Sequence, residues 1–244
     1  MDRVILIQEV IKKNNFQTYL EIGCEEGVTF LPIKAKYKIA VDPCFQISIK
    51  RKLRSIINNP QNIRNRYFEE ESDSFFLKRK KYLEKTGQLD VVFVDGLHTF
   101  RASLNDVFNS LKYLNRKGII IMHDCNPSNK PASLPIQTNL EDLKQLEGWT
   151  GEWCGDVWKT IIYLRKNLPE LLDVCVIDAD FGLGIVRLKT TMETKDLSID
   201  EKSFSAIDKM TYEEFTEDRE TMLNLKKPEF GFTIIEEVAV NNKK

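Results

Sequence analysis

The 244-residue sequence has no apolar stretch approaching the roughly 18 residues that a membrane span requires, so no membrane span is expected. The apolar run Val4-Ile5-Leu6-Ile7 turns polar at Gln8-Glu9, too soon for a secretory signal core. Cysteine lacks pairing pattern. The five residues Cys24, Cys44, Cys125, Cys154 and Cys175 are odd in number, widely spaced and without a C-x-x-C pair, which argues against a disulfide framework or a zinc knuckle. An excess of charge of one sign is missing too. The 36 Lys+Arg stand against 37 Asp+Glu, net -1, so no global footprint for nucleic acid is present, although a local patch is compatible with these totals. Histidine is reduced to His98 and His123. Internal repeats and low-complexity tracts are absent. The chain reads as cytoplasmic.

The 42% hydrophobic content supplies a real core, and the length fits one domain with an appendage. Along the chain, apolar runs alternate with helical periodicity. Residues 2–13 read as an amphipathic helix, Thr18–Gly23 as a short buried strand, and Val28 to about Leu31 as the start of a helix that Pro32 cuts short. Lys38–Pro43 reads as a second strand, 46–57 as helix, Asn62–Phe68 as a weak third strand and 73–85 as helix. Leu89–Asp95 is a continuous apolar run ending in an acid, the pattern of a parallel strand covered on both faces. Helix 99–114 and strand Gly118–Asp124 follow. Residues 127–155, with three prolines and two tryptophans, read as a lid or insertion. Asp156 is a plausible N-cap for a helix to about Lys166, and the strands Leu172–Asp178 and Leu183–Leu188 are close enough to form an antiparallel hairpin. After 190 the chain turns linker-like, then helical over 205–225, with 230–235 as a strand or packing segment. The fold class expected is α/β: a Rossmann-like three-layer α/β/α sandwich with a mostly parallel, seven-stranded sheet and a terminal antiparallel hairpin. Its domain would span 1–190, followed by a helical extension over 191–244.

Such a sheet holds ligands at the carboxyl ends of its strands, and that is where the notable acids fall. Glu21-Ile22-Gly23-Cys24-Glu25-Glu26-Gly27 has the form E-x-G-x-x-x-G. Its glycines permit a sharp turn, while its acids would repel a pyrophosphate and suit a cationic or zwitterionic ligand. Asp42 follows by the interval that sets a carboxylate against a ribose diol. Asp95 and Asp124 end strands expected to be neighbours. Two carboxylates so close repel unless a proton or cation lies between them, and a hard divalent ion answers that need. His123 beside Asp124 is either a further ligand or, by strand alternation, points into the opposite layer. Trp149, Trp153 and Trp158 suit a glycan-stacking lid or plain packing; core packing is preferred for Trp158.

Taken together, E-I-G-C-E-E-G, V-D-P, D-V-V-F-V-D-G-L-H and G-I-I-I-M-H-D-C resemble the class I S-adenosylmethionine-dependent methyltransferases, in particular the metal-dependent sugar and macrolide O-methyltransferases. The likeness spans roughly 17–190, and segments at 155–159 and 212–225 share it. It implies that Glu21, Gly23, Cys24 and Gly27 hold the methionine part of S-adenosylmethionine, Asp42 the ribose, and Glu71 and Ser72 the adenine side. It also implies an antiparallel strand inserted beside the fifth. The D-x-x-H of Asp95 and His98 is similar to that branch's pairing of a metal-bound Asp with a general-base His, a role suited to an imidazole titrating near neutral pH. The expected catalytic residues are thus His98 and Asp95, and the expected metal ligands Asp95, Asp124 and His123, for magnesium or manganese. Where the branch carries an acid or amide beside the second Asp, this chain has His123 and Cys125. The expected partner is a small-molecule or glycan acceptor, with no nucleic acid, and the tail leaves room for a homodimer. Two other readings share the sheet: a non-catalytic nucleoside-cofactor-binding protein, and an NAD(P)-dependent oxidoreductase, which the missing G-x-G-x-x-G disfavours.

Overall fold

The computed structural model describes residues 1–135, 142, 144–189, 194 and 197–241. Its elements run α1 Arg3–Asn14, β1 Thr18–Ile22, β2 Tyr37–Asp42, α2 Ile49–Asn58, a 3-10 turn Pro60–Arg64, β3 Arg66–Glu69, α3 Ser72–Lys78, α4 Lys80–Thr86 and β4 Leu89–Val94. They continue as α5 Phe100–Leu111, β5 Leu114–Met122, a 3-10 turn Pro131–Ser133, α6 Trp158–Asn167, β6 Leu172–Ile177 and β7 Leu183–Leu188. The last elements are α7 Glu201–Asp208, α8 Tyr212–Glu217, α9 Arg219–Leu223, β8 Leu225–Lys226 and α10 Phe230–Asn241.

One eight-stranded sheet has the order β3-β2-β1-β4-β5-β7-β6-β8. Strands β3, β2, β1, β4 and β5 are mutually parallel, while β7 runs antiparallel to both β5 and β6. The expected α/β/α sandwich with its inserted antiparallel strand is therefore present. The eighth strand is the two-residue β8, which the tail adds beside β6.

Alternation along each strand builds the two cores. Val92, Val94, Ile120 and Met122 face one layer, with Leu104, Val107 and Leu111 of α5 and Ile161 of α6. Val91, Phe93, Ile119 and Ile121 face the other, with Leu6, Ile7 and Val10 of α1 and Ile234 and Val238 of α10. Each such side chain, removed fully from water, contributes about 1.5–3 kcal/mol before entropy is charged against it. The tail closes the first layer: Trp158 is buried and stacks on Phe215, ring centroids 4.3 Å apart, as core packing requires. Among the described residues no helix is long and apolar enough to cross a membrane.

Several local expectations change. Residues 28–31 form turns rather than a helix, and the third strand is confined to 66–69 because Pro60 opens a 3-10 turn that runs to Arg64, over the first three residues of the segment read as strand. The helix read over 73–85 breaks at Arg79 (φ -101, ψ 17). Asp156 does not cap α6; its carboxylate instead accepts from the Phe100 amide at 2.7 Å, tying α5 to α6. Residues 230–235 belong to helix α10. Within the expected lid, 136–141 and 143 lie outside the described residues.

Candidate functional site

The chain leaves β1 for β2 and β3 on one side, and returns through β4 and β5 on the other. This reversal opens a crevice at the carboxyl ends of β1 and β4. A cavity of about 940 Å³ fills it. Glu21, Gly23, Cys24 and Asp42 line one part, Glu71 and Ser72 a second, and Asp95, His98, His123 and Asp124 a third. Of the expected residues only Gly27 stays off the wall, tucked against Ile47 and Leu31.

The loop after β1 is shaped by contact with its neighbours. Gly23 holds φ +82, and a Cβ there would sit 1.9 Å from the Asp95 carbonyl oxygen, so any side chain would force β1 and β4 apart. Glu21 is buried, which pushes its pKa up to about 8, while the hydroxyl of Tyr19 donates to it. Asp42 accepts from the Glu25 amide on one oxygen and the Cys44 amide on the other, each at 2.7 Å. It thus sets the loop's path while keeping spare lone pairs on both oxygens. Burial pushes the Cys24 thiol up, with Glu21 and Asp42 adding to it, so it stays protonated.

The third part gathers every histidine of the chain. The His98 Nδ1 lies 3.2 Å from the Trp153 carbonyl, which only accepts, so Nδ1 carries a hydrogen and Nε2 faces the carboxylates. Nε2 is 3.4 Å from Asp95 and 3.3 Å from Asp124. The ring lies against Trp153 at a tilt of 32°, centroids 4.9 Å apart. His98 and Asp124 both hold left-handed backbone, φ 52 and 60. Opposite His98, Gly155 holds φ +62 with its Cβ position 1.8 Å from the His98 carbonyl oxygen, so the turn that presents the imidazole tolerates only glycine there.

β5 ends at Met122, so strand alternation does not govern the next two residues. Asp124 turns back, and His123 and Asp124 face the same cluster rather than opposite layers. His123 Nδ1 lies 3.3 Å from Asp95 and 3.0 Å from Asp124. On its far side Nε2 meets Arg3 at 3.2 Å and Asp180 at 3.4 Å, and Arg3 binds Asp180 at 2.7 Å. Burial pulls His123 down, but Asp124, Asp180 and Asp95 outweigh it and push it up to about 12. Burial likewise works against the charge on Asp95, yet hydrogen bonds from His123 and His98 hold it well below the usual carboxylate range. Asp95 and Asp124 together with His98 present one donor atom each within 4.8 Å of one another, the geometry a cation needs. His98 thus takes the place in that set expected for His123.

At the second part, Glu71 and Ser72 open α3, and Asp73 accepts from Asn105 and Asn109, docking α3 on α5. Between them Asp106 is buried, and one of its oxygens has no hydrogen-bond partner among the described residues. Burial pushes its pKa up to about 7, with Asp73 adding and Ser72 opposing. Sequence reasoning missed Asp106, Arg3 and Asp180, and it read Trp153 as a lid or packing residue rather than as the support of His98. For Asp106 no local signal existed: the apolar stripe of α5 runs through Phe100, Leu104, Val107, Phe108 and Leu111, and Asp106 lies about 100° or more around the helix from each of them, so its burial follows from the packing of α3 on α5.

Residues 20–125 match a family model described as a methyltransferase domain. No curated protein matches the chain. Among solved structures it is similar to the SAH-bound methyltransferase PaMTH1 of Podospora anserina, at 18% identity over 78% of this chain and 80% of that one, TM-score 0.51. It is also similar to an O-methyltransferase from Bacillus cereus in complex with SAH (12% identity, 75% and 77% covered, TM-score 0.50). A third is the O-methyltransferase TomG of Streptomyces achromogenes in complex with SAM (9%, 78% and 82%, TM-score 0.53). The family match spans β1 to β5, and the sheet to which these strands belong is the fold that the chain shares with these structures.

Proposed function

We propose that this chain is an S-adenosylmethionine-dependent methyltransferase that acts on oxygen, transferring a methyl group to a hydroxyl of a sugar or glycosylated small molecule with the help of a divalent cation. The observation that carries the reading is the convergence of Asp95, Asp124 and His98 Nε2 in the same cleft as the Glu21–Gly27 loop and Asp42. Two of the similar structures are of O-methyltransferases, which supports oxygen as the acceptor.

The residues fit the cofactor. Around Glu21, Asp42, Glu71 and Asp106 the walls offer acceptors, suiting a ligand that brings an ammonium group, a ribose diol and an exocyclic amine. Asp42 has lone pairs left for the diol, and the partnerless oxygen of Asp106, beside Glu71 and Ser72, suits the amine. When bound, S-adenosylmethionine supplies a methyl group on a positively charged sulfur. The chain contributes alignment, worth many orders of magnitude in such a displacement, and removal of the hydroxyl proton. His98 is the group that takes this proton at Nε2, its ring fixed by Trp153. Asp95 and Asp124 would hold the cation, which lowers the pKa of a hydroxyl on it. Two carboxylates and an imidazole nearby suit manganese better than magnesium. His123, engaged on its far side by Arg3 and Asp180, braces the two carboxylates.

One observation favours a metal-free variant of this chemistry. Arg3 and His123 already place two cations against the three carboxylates Asp95, Asp124 and Asp180, leaving His98 to supply the third by accepting the proton. Methyl transfer from labelled S-adenosylmethionine to a panel of sugars and glycosides, with and without manganese after chelation, tests both. Turnover that needs metal supports the first form and metal-independent turnover the second. Binding of S-adenosylhomocysteine with no transfer to any hydroxyl would favour a non-catalytic role.

A further inference from the structure

Helix α2 is built inside out. Positions four apart fall about 40° apart around a helix, so Ile49, Leu53 and Ile57 form one stripe along its length. That stripe faces outward: Ile49 is 78% exposed, Leu53 60% and Ile57 80%. No residue of α2 is buried. The side turned to the protein is polar. Arg51 pairs with Glu26 at 2.8 Å, Lys52 lies over the Tyr67 ring at 4.3 Å, and the Ser55 carbonyl accepts from Asn62. The adjoining 3-10 turn exposes a further isoleucine, Ile63, at 72%. An isolated apolar residue at a surface is ordinary; an entire apolar helix face turned away from its own core is not.

The charge around the stripe selects its occupant. From Pro43 to Phe68 the sequence carries six cations, Lys50, Arg51, Lys52, Arg54, Arg64 and Arg66, and no Asp or Glu, in a chain of net charge -1. Lys50, Arg54, Arg64 and Arg66 are exposed. A second copy of the same face would bring like charges together, which opposes self-association through it. A nucleic acid would use the cations but leave the isoleucines in water. A cationic helix with one apolar stripe and an otherwise polar circumference matches the physical description of a helix that lies in the plane of an anionic lipid surface.

We propose that α2 and the adjoining turn dock this protein peripherally on an anionic bilayer, with Ile49, Leu53 and Ile57 at the acyl boundary and Lys50, Arg54, Arg64 and Arg66 against the headgroups. The helix adjoins the cleft, since Glu26, the partner of Arg51, lines it. Docking would therefore bring the methyl-transfer site close to the membrane plane.

Flotation of the full chain with vesicles tests this. Vesicles of phosphatidylcholine alone are compared with vesicles in which a third of the lipid is phosphatidylglycerol, at low and at high salt. The chain should float with the anionic vesicles, far less with the neutral ones, and less as salt rises. Combined Ile49→Gln, Leu53→Gln and Ile57→Gln should weaken partitioning by about tenfold or more, from lost apolar burial, with an unchanged far-UV spectrum. Ile57→Gln alone, at the most exposed position of the stripe, should show the same direction and cannot disturb the core. Three results would overturn the proposal: no flotation with anionic vesicles, full flotation of the triple variant, or a wild-type dimer that the triple variant converts to monomer.

Discussion

His98 and Asp124 face each other at 3.3 Å across the mouth of the cleft, and each is held there by left-handed backbone. Neither conformation is favourable for a residue with a side chain; each costs of order 1–3 kcal/mol. Asp95, on the adjacent strand end, meets the same imidazole nitrogen at 3.4 Å. The cost is explained if this corner handles a proton. Asparagine tolerates left-handed backbone, so His98→Asn should fold normally and bind S-adenosylhomocysteine within about threefold of wild type. Its turnover should fall by about 10²–10⁴. Single-turnover methyl transfer beside calorimetry separates the two effects, and normal turnover in the variant removes His98 from the chemistry.

The carboxylate pair gives a second prediction. Asp95→Asn and Asp124→Asn each remove one charge from the three-residue set. Manganese binding, read by electron paramagnetic resonance of the free ion, should weaken in either variant by about tenfold or more. Equal manganese affinity in wild type and both variants would place any bound cation elsewhere.

Asp106 sets a pH dependence. Its folded-state pKa is raised to about 7 from the ordinary 3.8, chiefly by burial. The folded protein therefore holds a proton that the unfolded chain has released between those values. Stability from this group is greatest below pH 4, falls as pH rises toward 7, and is level above it. Asp106→Asn should flatten this part of the profile and raise stability at pH 8 by up to about 4 kcal/mol. Thermal melts of both proteins from pH 4 to pH 8 check it; a variant less stable than wild type at pH 8 would contradict the assignment.

Gly23 and Gly155 are held by distance rather than flexibility. Gly23→Ala would place a methyl 1.9 Å from the Asp95 carbonyl, and Gly155→Ala one 1.8 Å from the His98 carbonyl. Each should destabilise the fold by about 2–4 kcal/mol. The first should cost S-adenosylhomocysteine affinity, and the second turnover more than affinity, in paired calorimetric and kinetic measurements.

The cleft was legible in the sequence where chemistry follows directly from strand ends. Leu89–Val94 announces a covered parallel strand, which puts Asp95 at its carboxyl end, and the glycines and acids from Glu21 to Gly27 mark a tight turn at the carboxyl end of β1, where such a sheet binds ligands. The orientation of His123 was not legible, because it depends on β5 stopping at Met122 and Asp124 reversing the chain. Arg3 and Asp180 are 177 residues apart, and no local pattern marks a pair that only the finished sheet brings together. Arg79, which breaks one expected helix into two, carries no breaker chemistry; tertiary packing decides it. The outward stripe of α2 is the opposite case. Its periodicity predicts a helix correctly, but implies an apolar face turned inward, and the structure turns it out.

The most direct measurement is calorimetry of the intact protein with S-adenosylhomocysteine, with NAD as control, for wild type and Asp42→Ala. A class I methyltransferase cleft should bind one S-adenosylhomocysteine per chain and no NAD. Asp42→Ala should lose about tenfold or more in affinity, from the charged hydrogen bonds withdrawn from the ribose. Binding of NAD in its place, or no heat from either ligand, would contradict the assignment of this cleft.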